Sequence, residues 1–221
     1  MLGTIQDFVT LPNRSLRSAY TYLTNRYSSK THALTSKLKR GQWYEYEHRL
    51  LHCVFDSLVD YVEIDEAWHH IICDSEAAAT YKPKKFWWSE WRCAAAGIDH
   101  VTWASKLVHT KEYGITEDSP EFGQPTGQAK IAQELLVLYT WWTVERPNRP
   151  DPHEVSGWSA FCESYTDDGK KLSRIFGTRT PAQQKESTRL LKLMTKIEDK
   201  YEKEDEQMLI RLIKIRKGLW T

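Results

Sequence analysis

One long helix, from about 181 to 217, constrains this chain more than any other feature. Thr180-Pro181-Ala182-Gln183 combines a capping Thr, Pro at the first helical position and Gln at the third, a capping-box pattern. Leu190, Met194, Ile197, Tyr201, Met208 and Leu212 then recur at three-, four- or seven-residue intervals, so one stripe must face a partner. Lys214, Arg216 and Lys217 sit where cations favour the helix dipole, and Gly218 marks the end.

Two further helices follow from periodicity. The segment Trp43 to Ile72 carries Glu45, His52, Asp56 and Glu63 on one side at 100° per residue, with Leu50, Val54, Leu58, Tyr61 and Val62 opposite. Gln128 to Glu145 uses Ile131, Leu135, Leu138 and Trp142 as its stripe and must stop before Pro147. A shorter helix is expected around Glu154 to Glu163, and one or two in the Trp-rich stretch Phe86 to Leu107. Residues 114–127 and 167–181 read as connectors. Strand signals are poor, since no Asn-Gly or Asp-Gly turn lies between alternating apolar runs. The expected fold is mainly α: an irregular helical bundle with two or three long amphipathic helices and little or no strand.

Charge separates the chain more clearly than composition does. Residues 1–40 hold seven Lys/Arg against Asp7 alone, a net +6; the overall +1 leaves −5 for residues 41–221. This divides the chain into a basic N-terminal arm and a helical domain. The arm has its own stripe, Leu16, Tyr20, Leu23 and Tyr27, surrounded by Arg14, Arg17, Arg26 and Lys30. Those four cations are candidate contacts to an acidic partner. Four cysteines without C-x-x-C spacing suggest reduced, buried thiols in the cytosol. Neither a signal peptide nor a membrane span is read.

Two sets of residues could carry chemistry on the helices. Glu63 and Glu66 on the early helix, with Glu202 and Asp205 on the last, could hold Mg²⁺ and through it a phosphate. Asp205 and Glu204 interrupt the apolar stripe, as acids facing a partner would. These ingredients are similar to those of the all-helical nucleotide pyrophosphohydrolases of the MazG type, whose second acidic motif lies much nearer the first. Two Glu-x-x-His pairs, Glu45…His48 and Glu66…His69, invite a di-iron reading, but on one continuous helix they stand roughly 30 Å apart. Arg146 and Arg149 beside Trp142 could grip an anion, and adjacent Trp pairs should place one member of each on a second surface. Nucleophile-elbow, P-loop, dinucleotide and zincin signatures are absent.

RSLRSAYTYLTNRYSSKTHAL, RLLHCVFDSLVDYVEIDEAW, LYTWWTVERPNRPDPHEVSGWSAFCE and EDEQMLIRLIKIRKGLWT span nearly the whole chain. Together they resemble a family of proteins predicted in tailed-bacteriophage genomes. The resemblance implies a viral origin and action in the cytoplasm of an infected bacterium, or in the virion; it assigns no catalytic or binding residue. The expectation is an accessory protein that binds a host or phage macromolecule or a nucleotide through aromatic and basic surfaces, without a cofactor. A Mg²⁺-dependent nucleotide pyrophosphohydrolase-like enzyme is the alternative.

Overall fold

The computed structural model describes residues 36–39, 41–83, 91–164 and 180–219. The chain forms two units, divided between Tyr61 and Val62. The division suggested by charge, at 40/41, falls within the first. The arm cations Arg14, Arg17, Arg26 and Lys30 lie outside the described residues.

In the first unit, α1 spans Tyr46–Asp60. Its buried side chains are Leu51, Phe55, Leu58 and Val59, with Leu50 exposed, so the apolar stripe is rotated from the one expected. Asp56 is buried among them. Its Oδ2 accepts the Lys37 amide at 2.7 Å and lies 3.1 Å from His52 Nδ1, so the buried carboxyl group is hydrogen-bonded. From Tyr61 to Glu66 the helical hydrogen bonding widens to a π-helix.

The second unit is an irregular helical bundle. After the π-helical turn come α2 (Ala67–Cys73), α3 (Ser75–Tyr81), α4 (Ala94–Ala104) and α5 (Gly127–Thr140). The chain then continues through α6 (Pro152–Val155), α7 (Trp158–Glu163) and α8 (Pro181–Ile215). Helix α4 packs on α2 and α5, and α5 packs on α8. The capping box predicted for α8 is present: Thr180 Oγ1 accepts from the Gln183 amide, and Gln183 Oε1 accepts from the Thr180 amide. All six residues of its expected stripe are buried or half-buried. Gly157, at φ 80°, breaks the single helix expected over 154–163 into α6 and α7. Among the described residues β-structure is limited to an isolated bridge, Val108 to Pro125.

A second π-helical turn, Trp141–Glu145, ends the α5 segment ahead of Pro147. Both Trp141 and Trp142 are buried, against the expectation that one would line a separate surface. The wider π turn and two guanidiniums explain this: Arg146 lies over Trp142 at 4.9 Å and Arg149 over Trp141 at 5.4 Å. None of the four cysteines is buried and all are free. Among the described residues no helix is long and apolar enough to cross a membrane.

Candidate metal centre

The first π-helical turn matters because of what it delivers. It ends at Glu66, and His69 follows one turn later on α2, so the two project from one face. His100 arrives from α4. Two features hold α4 against the π turn. The Glu63 carbonyl accepts the Cys93 amide at 2.8 Å. Gly97 meets the backbone so closely that a Cβ there would lie 1.9 Å from the Val62 carbonyl oxygen. Only glycine permits that approach. His100, three residues further along, then reaches the Glu66 carboxylate.

Glu66, His69 and His100 each offer one ligand atom, and these atoms lie within 4.8 Å of one another. His100 Nε2 stands 3.4 Å from Glu66 Oε2, with both side chains only 12% exposed. Two ligand atoms bound tetrahedrally at the usual zinc distances are separated by about 3.4 Å. Burial pushes the His100 pKa down, and the neighbouring His70 and His69 push it the same way; Glu66 opposes them. The imidazole is thereby held neutral at pH 7, the form in which histidine ligates metals. Among the described residues these three are the group of side chains arranged to hold an ion.

The surroundings are aromatic and polar. The His70 ring lies 5.6 Å from His100 and 5.9 Å from Tyr81. Tyr81 donates to Asp99, which pushes its pKa up to about 12. Trp103 lies 5.4 Å from His100 with the ring planes 30° apart.

The other carboxylates expected to bind Mg²⁺ are placed elsewhere or already engaged. Glu63 accepts from Arg92 Nη1 at 2.5 Å and from the Tyr139 hydroxyl at 2.9 Å. Burial, then this bond to Glu63, raises the Tyr139 pKa and keeps it a donor. Glu202 is exposed on α8. Asp205 is buried and accepts from both Arg146 (2.9 Å) and Arg149 (2.6 Å). Glu63, Glu66, Glu202 and Asp205 therefore form no common ligand set among the described residues.

Arg146 and Arg149, expected to grip an anion beside Trp142, pair with carboxylates of the chain itself. Arg149 also pairs with Glu204 at 3.1 Å, and Glu204 accepts from Trp141 Nε1 at 2.8 Å. Sequence reasoning raised His69 only within the di-iron pairing that helix length argued against, and missed His100 as a ligand. The available signal was the Glu66-x-x-His69 half-site together with a histidine one turn after a helical glycine, Gly97. The chain matches no protein-family model, no curated protein and no solved structure.

Proposed function

We propose that this protein binds one divalent transition-metal ion on Glu66, His69 and His100 and uses the ion's remaining coordination positions to act on a ligand. The observation that carries the reading is the convergence of these three donors within 4.8 Å. Three protein ligands leave at least one position open, the pattern of catalytic sites; structural zinc sites close all four. Two imidazoles and one carboxylate suit Zn²⁺ or Fe²⁺ and disfavour Mg²⁺, which prefers oxygen donors. An ion here would act as a Lewis acid and lower the pKa of a bound water. This replaces the Mg²⁺ carboxylate cluster with a mixed donor set that keeps Glu66.

The test is calorimetric titration of the full chain, stripped by chelator, with Zn²⁺, Mn²⁺ and Mg²⁺. One equivalent of Zn²⁺ should bind and Mg²⁺ should not compete. Glu66→Gln, His69→Ala and His100→Ala should each weaken Zn²⁺ by more than the roughly 10–100-fold that loss of an outer-shell partner causes. Saturable binding that ignores all three substitutions, or no binding, would overturn the reading.

A second reading, an accessory protein of a bacterial virus that docks on a macromolecule, draws support from the first unit. Among its described residues Trp43 and Tyr46 are exposed large aromatics, with Arg49 5.8 Å from the centre of the Tyr46 ring. Charge reversal at Arg14, Arg17, Arg26 and Lys30 should weaken such docking, and added salt should weaken it too. An affinity indifferent to both removes this reading.

A further inference from the structure

Trp103 is 55% exposed, whereas Trp141 and Trp142 are buried in the same unit and Trp68 packs edge-on against Trp91 at 5.3 Å. It is also the aromatic side chain one helical turn beyond a proposed ligand, with its ring 5.4 Å from that of His100 and tilted 30° to it. An exposed indole beside a proposed ligand offers a face on which a planar group held at the ion can stack. The charge of the site selects the other end of that occupant. A divalent ion held by one carboxylate and two imidazole ligands keeps a net positive charge within its ligand set, which favours an anionic oxygen over a neutral donor.

We propose that the metal and Trp103 together bind a ligand carrying a planar aromatic ring and an anionic oxygen. The oxygen would coordinate the ion and the ring would lie on the indole. This inference rests on the metal-binding reading above. Nucleoside monophosphates and aryl carboxylates share the chemistry, and the experiment separates them.

The zinc-loaded full chain is titrated with AMP against ribose 5-phosphate, and with indole-3-acetate against acetate. Each titration is repeated in Trp103→Ala and Trp103→Phe at saturating Zn²⁺. Stacking of one ring on an aromatic side chain predicts an advantage of about tenfold or more for the ring-bearing member of a pair. The advantage should vanish in Trp103→Ala and return in part in Trp103→Phe. If it appears only in the first pair, the ligand class is nucleotide; if only in the second, aryl carboxylate. An advantage in neither pair, or one that persists in Trp103→Ala, overturns the inference while zinc binding leaves the metal reading standing. Failure to bind zinc overturns both.

Discussion

Two clusters of charge in the second unit sit at the ends of π-helical turns, and the chain finishes them differently. The turn Trp141–Glu145 leads directly into Arg146, and its cluster is balanced from within: Arg146 and Arg149 against Asp205 and Glu204. The turn Tyr61–Glu66 ends in Glu66, whose neighbours are two imidazoles, one of them held neutral by burial. A π turn shifts the register of every side chain after it, and such turns gather at functional sites. Here one shift completes a fold-stabilising ion pair. The other brings three lone-pair donors within 4.8 Å of one another.

The largest effect should come from breaking the balanced cluster. Asp205 is 12% exposed, and Arg146 and Arg149 are 20% and 14% exposed. Removing one partner from a buried pair leaves charge uncompensated and costs about 3–5 kcal/mol. Asp205→Ala should therefore lower the stability measured by urea unfolding by about that amount. Glu66→Gln in the chelator-treated protein should change it by less than about 1 kcal/mol, because no buried guanidinium loses its counter-charge. Equal losses in the two variants would erase the distinction between the clusters.

Next in size is the backbone contact that brings His100 to Glu66. Gly97→Ala places a methyl 1.9 Å from the Val62 carbonyl oxygen, and a backbone atom cannot rotate away. Helix α4 must then back off, at about 3 kcal/mol, the upper part of the usual overpacking range. The same variant should lose zinc affinity though every ligand side chain is intact. Wild-type stability in Gly97→Ala would show that the approach of α4 is not tightly held.

Metal linkage sharpens the comparison from the other side. Zn²⁺ at a hundred times its Kd should stabilise the wild-type protein by about 2.7 kcal/mol. His69→Ala and His100→Ala should abolish the gain, and Arg149→Gln, in the balanced cluster, should keep it. A gain lost equally in Arg149→Gln would place the metal elsewhere.

How much of this was legible before the structure depends on the range of the physics. The α8 helix was legible in full, because a capping box and a three-to-four-residue stripe are local signals. So was the hint that Asp205 and Glu204 face a partner. The partner was visible too, as Arg146 and Arg149, but nothing in the spacing says that residues 56 positions apart meet. Each half therefore suggested an external ligand. The proposed metal site was less legible for a different reason. Glu66 and His69 stood out, yet the early helix was read at 100° per residue, and the π turn that redirects Glu63 and Glu66 leaves no periodic trace. The placing of His100 beside Glu66 depends on α4 approaching a carbonyl to within the space of a missing Cβ. A single glycine records that fact, and only in hindsight of the packing.

The smallest effect belongs to a third pair, which tests how much burial matters to the first. Arg211 on α8 donates to Glu134 on α5 at 2.5 and 2.9 Å, a two-pronged geometry as good as that at Asp205. These side chains are 35% and 27% exposed, so water screens them and the pair contributes at most about 1 kcal/mol. The hydrogen bond from Arg211 holds the Glu134 pKa below its ordinary 4.5. A carboxylate depressed in the folded state stabilises above its unfolded pKa, and the contribution is lost as pH falls through the folded value. The stability difference between wild type and Arg211→Gln should thus be constant from pH 7 down to about 4.5. It should then close as acid protonates Glu134, and at neutral pH it should shrink when salt is raised. A difference as large as that of Asp205→Ala, or one that survives protonation, would mean that packing of the Arg211 stem, not charge, sets its value.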